Sequence, residues 1–204
     1  ALFFLSSCTV SDMDVTGGDS DVSKNGNAVS ISLPETRVIF GEKSGDIYPI
    51  YWEEDDQIGV NGVKSQQIEI NKNDKRAATF HFGDEELEYP YSVTYPYTPI
   101  SSAAKPMVVF PIEQYYVRNS IESNCLSMCG YAGQAGYNVT MKHLSSILRI
   151  SVTSHIPDVK LKSITVTSTA NKKIAGEFSI NCRTSKLTAT DNTSSSVTYP
   201  LPEG

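Results

Sequence analysis

The chain has no block of basic residues, and no apolar run approaches the roughly 20 residues that a membrane-spanning helix requires. Its 204 residues carry a formal net charge of -6. This acidic balance argues against nucleic acid as a partner, because binding to phosphates needs clustered Lys and Arg. Any membrane contact has to come from something other than a spanning helix.

The usual signatures of an enzyme are also missing. The sequence has no Gly-Xaa-Ser-Xaa-Gly nucleophile elbow, no paired-histidine zinc motif and no phosphate loop. Ser102-Ala103-Ala104-Lys105 matches the Ser-Xaa-Xaa-Lys pattern, but prolines on both sides argue against the helix that this chemistry needs. The glycine-rich run Gly130–Gly136 lacks a following Lys-Ser or Lys-Thr and is interpreted as a flexible loop. We therefore predict no enzymatic activity and no cofactor.

Metal-binding patterns are equally weak. Four consecutive carboxylates occupy residues 53–56, but side chains along an extended strand point to alternate sides and do not converge on one ion. This stretch is interpreted as a solvated acidic turn before Ile58. Only three histidines occur, and none lies at a zinc-finger spacing from Cys125-Xaa-Xaa-Xaa-Cys129. No metal site is predicted.

What the sequence does have is a distinctive first segment. Residues 1–8 are an apolar run that ends in Leu5-Ser6-Ser7-Cys8, the shape of a bacterial lipobox, and the Cys8 thiol is the group that would carry the lipid. The chain opens without Met, as expected for the remnant of a longer signal segment. Residues 9–27 are polar and acidic and lack aromatic side chains, which is typical of a flexible tether. We expect export and lipid anchoring at Cys8; the alternative is a buried strand with an ordinary cysteine.

Three cysteines remain once Cys8 is assigned to lipid: Cys125, Cys129 and Cys182. Because three is odd, at least one stays unpaired or pairs between chains. A disulfide between Cys182 and one of the other two is compatible with an exported protein, but the spacing does not select a pair. The alternative is that all three are small, buried and redox-inert.

Beyond the tether, the dominant hydrophobic period is two, as in half-buried β-strands. The pattern predicts an all-β fold, an antiparallel β-sandwich over residues 28–199 with at most one or two short helices, of which Val117–Met128 is the candidate. Asn61-Gly62 predicts a hairpin, because a type I′ turn needs positive φ at both positions. Residues 200–204 are expected to begin a linker to a further C-terminal domain. The alternating sets are Val29/Ile31/Leu33, Ile68/Ile70, Ala78/Phe80/Phe82, Tyr91/Val93/Tyr95, Tyr137/Val139/Met141, Leu148/Ile150/Val152, Ile164/Val166, Phe178/Ile180 and Val197/Tyr199.

Five features follow one another along the chain: the lipobox with its tether, Glu35-Thr36-Arg37 after the first strand, the Tyr51–Val60 segment with its Trp and Ile-Xaa-Val, Phe110-Pro111-Xaa-Xaa-Gln114-Tyr115, and the apolar stretch His143–Val152. In this order they resemble the fimbrillin-like lipoproteins of Bacteroidales, the subunits of type V pili. One departure is Asp55-Asp56, where relatives more often carry Gly-Asp. The resemblance implies transthyretin-like β-sandwiches, export as a lipoprotein and polymerisation by strand exchange.

The resemblance also implies a processing site. In polymerising members a trypsin-like protease cuts after a basic residue that follows the first strand. The basic residues before Val38 are Lys24 and Arg37. A cut after Lys24 would remove only the tether, whereas a cut after Arg37 would also remove the first strand and open a groove. Arg37 is therefore the predicted site; the alternative is a solvated residue between two strands.

The predicted function is that of a structural or accessory subunit of a cell-surface fimbria, anchored in the outer membrane and joined to other fimbrial subunits by donor-strand exchange. The alternative is a lipid-anchored adhesion module that binds a host or glycan ligand on a platform of tyrosines. The same tyrosines would instead fill the sandwich core, with their hydroxyls at its edge. They are Tyr89, Tyr91, Tyr95, Tyr97, Tyr115 and Tyr116.

Overall fold

The computed structural model describes residues 27–33, 50–115, 121–134, 138–148, 150, 152–156 and 158–201. Within these residues the chain forms fourteen β-strands and one 3-10 turn, Ser123–Cys125, so the predicted all-β class is confirmed. The strands are β1 (Ala28–Ser32), β2 (Gly59–Val60), β3 (Val63–Lys64), β4 (Gln67–Ile70), β5 (Ala77–His81), β6 (Tyr91–Tyr95), β7 (Met107–Phe110), β8 (Met128–Ala132), β9 (Val139–Thr140), β10 (Lys142–His143), β11 (Ser163–Thr167), β12 (Ala175–Asn181), β13 (Lys186–Ser194) and β14 (Ser196–Pro200).

In the described part of the chain these strands form four sheets. The outer sheet has the order β4-β5-β1-β9, and the middle sheet has the order β10-β8-β6-β2-β3. A three-stranded sheet, β13-β12-β7, and a two-stranded sheet, β11-β14, complete the set. The pairing of β1 with β9 is parallel, and the other ladders between these strands are antiparallel.

The outer and middle sheets pack face to face over the first core, which gives the predicted sandwich. Trp52 lies within this core, edge-on to Phe80 at 5.0 Å and to Tyr95 at 5.3 Å between ring centres. The buried members of the first core are Val29, Ile31, Leu33, Trp52, Ile58, Val60, Ala78, Phe80, Phe82, Tyr91, Val93, Tyr95, Met128, Ala132, Val139 and Met141. Most of them belong to the alternating sets in the sequence, because one face of each strand points inward.

The opposite face of the middle sheet covers a second core, which it shares with the three-stranded sheet. Strand β8 contributes to both cores, since Met128 and Ala132 point into the first while Cys129 and Tyr131 pack in the second. The second core contains Val108, Phe110, Cys129, Phe178, Ile180 and Cys182, with Tyr131, Leu144 and Leu187 packed against them.

The position of β8 shows that two predictions from the sequence are wrong. The helix expected over Val117–Met128 is wrong in its described part, residues 121–128, where the 3-10 turn leads directly into β8. The flexible loop expected at Gly130–Gly136 is wrong at its start, because residues 130–132 belong to β8. A side chain at Gly130 would collide with Val139 in the first core, so glycine here permits close packing of two sheets rather than a loose loop.

A third correction concerns the alternating set Leu148, Ile150 and Val152. None of these three described residues lies in a strand. Leu148 is 67% exposed and Val152 is 59% exposed, so their side chains contribute to neither core. The apolar period is present in the sequence, but no neighbouring strand pairs with this stretch among the described residues.

The hairpin predicted at Asn61-Gly62 is confirmed. Asn61 has φ of 52° and Gly62 has φ of 83°, and they connect β2 to β3. The Asn61 side chain donates to the Glu88 carbonyl at 2.8 Å and accepts from the Ser92 amide at 2.9 Å. These bonds tie the turn to the entrance of β6, so the hairpin is part of the middle sheet.

Replacement of Gly62 by Ala tests this turn. An alanine Cβ would lie 2.6 Å from the Ser102 Cα, and the positive φ is unfavourable for any side chain. We expect a loss of about 1 to 3 kcal/mol in the free energy of unfolding, measured by urea denaturation. Gly133→Ala is the control, because a Cβ there makes only ordinary contacts with Tyr131. Equal losses in both variants would contradict the role of the turn.

Candidate functional site

Strand β1 lies in the interior of the outer sheet, with a partner on each edge. It pairs antiparallel with β5 from Ala28 opposite His81 to Ser32 opposite Ala77. On its other edge it pairs in parallel with β9, through Ile31 opposite Val139 and Ser32 opposite Thr140. Removing β1 would therefore leave unpaired backbone groups on two strands, not one.

Main-chain hydrogen bonds continue this pairing at both ends of β1. The Phe82 amide donates to the Asn27 carbonyl at 2.8 Å, and the Leu33 amide donates to the Arg76 carbonyl at 2.8 Å. Toward β9, the Met141 amide donates to the Ser32 carbonyl at 3.0 Å. The whole length of 27–33 is thus bonded into the outer sheet.

The inward face of β1 is apolar, and its outward face is polar. Val29, Ile31 and Leu33 are buried in the first core, while Ser30 and Ser32 point the other way. At about 1.5 to 3 kcal/mol for each fully buried aliphatic side chain, the three contribute roughly 5 to 9 kcal/mol. That is comparable with the roughly 5 to 15 kcal/mol that separates a folded domain from its unfolded chain. This figure is a gross burial energy, and the entropy cost of ordering the segment, about 1 to 2 kcal/mol per residue, opposes it.

The outward face of β1 adds polar contacts to the same two neighbours. The Ser30 hydroxyl lies 3.3 Å from the Thr79 hydroxyl on β5, and the Ser32 hydroxyl lies 3.3 Å from the Thr140 hydroxyl on β9. These exposed pairs add little energy, but they are specific to the observed register. A strand that replaced β1 would need small polar residues at the same alternate positions to make them.

The two predicted modification sites, Cys8 and Arg37, lie outside the described residues. In the sequence they flank β1, with Cys8 before it and Arg37 five residues after Ser32. Among the described residues, no helix is long and apolar enough to span a membrane. The lipid and the cut therefore remain predictions from the sequence.

The acidic stretch 53–56 forms the predicted turn before Ile58, with Glu53, Glu54 and Asp55 exposed. Asp56 differs from the others because it is half-buried. Its carboxylate accepts the Glu53 amide at 2.8 Å and the Tyr95 hydroxyl at 2.6 Å. Burial raises the pKa of Asp56 above its ordinary value of 3.8, and these two hydrogen bonds oppose the rise. Asp56 thus fixes the turn to β6.

The other patterns that suggested chemistry do not form sites in the described part of the chain. The Ser102 amide donates to the Lys105 carbonyl at 3.1 Å, and the Ser102 hydroxyl accepts the Lys105 amide at 3.1 Å. This closes a turn and not the helical arrangement that Ser-Xaa-Xaa-Lys catalysis needs. The described residues contain no group of three or more His, Cys, Asp or Glu side chains that could hold a metal ion.

Among the described residues, the tyrosines considered for a platform have different surroundings. Tyr91 and Tyr95 are buried in the first core, and the Tyr91 hydroxyl donates to the Leu87 carbonyl at 3.4 Å. For these two the core interpretation is confirmed. Tyr89 stacks on Tyr91 at 3.8 Å between ring centres and is partly exposed. The Tyr115 hydroxyl instead donates a hydrogen bond to the Glu113 carboxylate. Tyr116 lies outside the described residues.

Comparisons of the chain with protein-family models, with curated proteins and with solved structures find no match. The fold class therefore rests on the observed strand pairing. The resemblance to fimbrillin-like lipoproteins stays a prediction carried by the sequence motifs.

Asp56→Asn tests the electrostatics of the acidic turn. Because burial raises the pKa of Asp56, the folded state holds the proton more tightly than the unfolded state does. The stability that protonated Asp56 contributes is therefore fully present below pH 3.8. It is lost as the pH rises through the higher pKa that Asp56 has in the folded state. We expect the stability of Asp56→Asn relative to the native chain to increase from below pH 3.8 to neutral pH in urea unfolding.

The control for this measurement is Asp55→Asn, because Asp55 is exposed in the same turn. The same pH dependence in both variants would show that the effect comes from net charge and not from the burial of Asp56. A stability difference between Asp56→Asn and the native chain that does not change with pH would also contradict the raised pKa of Asp56.

Proposed function

We propose that the chain is a structural or accessory subunit of a cell-surface fimbria, exported as a lipoprotein and assembled by strand exchange. The observation that carries the proposal is the position of β1. It is the first described strand, it lies between β5 and β9, and its inward face fills the first core. Arg37 follows it closely in the sequence, so one cut there would separate β1 from the rest of the sandwich.

Loss of β1 would create a defined acceptor slot. Phe80 and Ala78 of β5 lie opposite Val29 and Ile31, so they would lose their neighbours and become exposed. The facing edges of β5 and β9 would present unpaired N–H and C=O groups. An extended segment from another subunit would satisfy both by β-augmentation.

The register of β1 specifies what a donor segment must look like. It has to run antiparallel to β5 and parallel to β9, as β1 does. It has to carry apolar residues at alternate positions to match Val29, Ile31 and Leu33. Side chains at those positions supply affinity and specificity, while the main-chain bonds hold any extended sequence.

The energetics couple processing to assembly. Since β1 buries three aliphatic side chains in the first core, a cut subunit that stays empty is less stable than the intact one. Filling by a donor segment restores the lost contacts. An uncut subunit keeps its slot closed, because the tethered β1 competes with any donor at a high local concentration.

A second feature supports contacts between subunits. Between β10 and β11 the chain carries large apolar side chains that are more than one-third exposed, and such exposure is typical of surfaces that become covered by a partner. They are Ile147, Leu148, Ile150, Val152, Ile156, Val159 and Leu161.

Arg37→Gln and Lys24→Gln, produced in cells labelled with palmitate, form a matched pair that tests processing. For the native chain and for Lys24→Gln we expect a mature protein that begins at Val38, has lost the label and forms SDS-resistant ladders. For Arg37→Gln we expect an unprocessed, labelled monomer, because Cys8 and β1 stay attached. N-terminal sequencing, autoradiography and gel electrophoresis provide the three measurements.

Different results would contradict different parts of the proposal. A native chain that begins at Cys8 or Asn25 would rule out removal of β1. Palmitate that never enters the chain would rule out lipidation at Cys8. Ladders that form equally well in Arg37→Gln would show that assembly does not need the cut.

A further inference from the structure

The second core brings together two cysteines that come from different sheets. Cys129 lies on β8 in the middle sheet, and Cys182 lies directly after β12 of the three-stranded sheet. Cys129 is 0% exposed and Cys182 is 5% exposed, and both belong to the same apolar cluster. They are far apart in the sequence, so only the fold makes them neighbours.

Contacts of the segment 182–185 fix its position on the middle sheet. The Cys182 sulfur lies 3.7 Å from the Val93 carbonyl oxygen on β6, and the next residue, Thr94, is the register partner of Cys129. The Cys129 sulfur lies 3.7 Å from the Ser185 hydroxyl. Two independent contacts therefore place the Cys182 segment over the same point of β8.

A third contact anchors the same segment. The Arg183 guanidinium lies 6.0 Å from the ring centre of Tyr131, which is two residues beyond Cys129 on the same face of β8. Residues 182, 183 and 185 thus all meet the middle sheet beside Cys129. The proximity of the two sulfurs is a consequence of this docking and not of a single flexible side chain.

The two thiols affect each other's ionisation. The hydrogen bond from Cys182 lowers the pKa of Cys129 to about 7, with burial opposing and with Ser185 and Lys142 assisting. The same bond raises the pKa of Cys182. In the folded protein the thiolate form is therefore favoured at Cys129 over Cys182.

We propose that Cys129 and Cys182 form a disulfide that joins the middle sheet to the three-stranded sheet. Cys125 is the cysteine left over: it lies in the 3-10 turn, where its thiol contacts Glu122 and Asn124 instead. The odd count of three cysteines is then explained by one bond and one free thiol. In cells the bond needs an oxidising compartment, so there it rests on the export proposed above.

The reaction is ordinary thiol–disulfide exchange with a small-molecule or protein disulfide as the oxidant. One of the two cysteine thiolates attacks one sulfur of that disulfide and forms a mixed disulfide, and the first carrier thiolate leaves. The thiolate of the other cysteine then attacks the protein sulfur of the mixed disulfide, and the second carrier thiolate leaves. The two protons of the cysteines end on the two carrier thiols. Because both sulfurs are buried in the folded protein, the exchange takes place before the second core closes.

Refolding with a mixture of oxidised and reduced glutathione tests the bond without any requirement for export, lipid or assembly. The full chain carries Cys8→Ser, and free thiols are trapped with iodoacetamide before tryptic digestion. We expect the peptide 174–183 to be linked to the peptide 119–142, with one alkylated cysteine, Cys125, in the latter. Cys125→Ser should keep the link, and Cys129→Ser should lose it.

A second measurement remains informative if Cys129→Ser fails to fold. The oxidised and the fully reduced forms of the Cys8→Ser chain are compared by urea unfolding. A bond that closes a loop of this length restricts the unfolded chain, so we expect the midpoint to be higher by about 1 to 2 M in the oxidised form. Equal midpoints would overturn the proposal.

Two outcomes of the peptide mapping would also overturn it. One is a link that runs through Cys125. The other is alkylation of both Cys129 and Cys182 in refolded protein that has the native β-sheet circular dichroism. Because neither outcome depends on Arg37 or on Cys8, failure of the disulfide would leave the proposed function untouched, and failure of processing would leave the disulfide untouched.

Discussion

The middle sheet is the constraint on which the rest of the structure depends, because it is buried on both faces. Strand β8 sends Met128 and Ala132 into the first core and Cys129 and Tyr131 into the second. The outer sheet covers one face and the three-stranded sheet covers the other. Loss of packing on either face exposes apolar area of the same central strands, so the two cores stabilise each other through β8.

The two faces of the middle sheet serve different purposes under the proposed function. On one face, β1 fills the first core as a separate segment, and it is the part of the sandwich that a cut after Arg37 would release. On the other face, the proposed bond between Cys129 and Cys182 would hold the three-stranded sheet in place. A subunit that exchanges a strand benefits from such a division, because the exchange exposes one core while the other keeps the middle sheet folded.

Alternation in the sequence identifies several of the strands but misses β7 and β8. Val29/Ile31 and Phe80/Phe82 alternate with polar residues, so β1 and β5 are recognisable. The residues of β8 carry no such alternation, since both of its faces are covered, and β7 is a continuous apolar run for which no strand was expected. The set Leu148, Ile150 and Val152 shows the opposite case: it alternates in the sequence, but none of the three residues lies in a strand. Alternation indicates a strand only where a neighbouring strand pairs with it. The sequence does not select the partner of Cys182, because Cys129 and Cys182 belong to different sheets that only the fold brings together.

Central to the proposed function is that β1 is a separable strand that fills a specific slot. The most direct measurement is thermal unfolding of a chain that begins at Val38, alone and with a peptide of residues 27–33. We predict that this chain is much less stable than the whole chain and that the peptide restores stability in a one-to-one complex. A peptide carrying Ile31→Asp should not restore it. Full stability without any peptide, or equal rescue by both peptides, would contradict the role of β1.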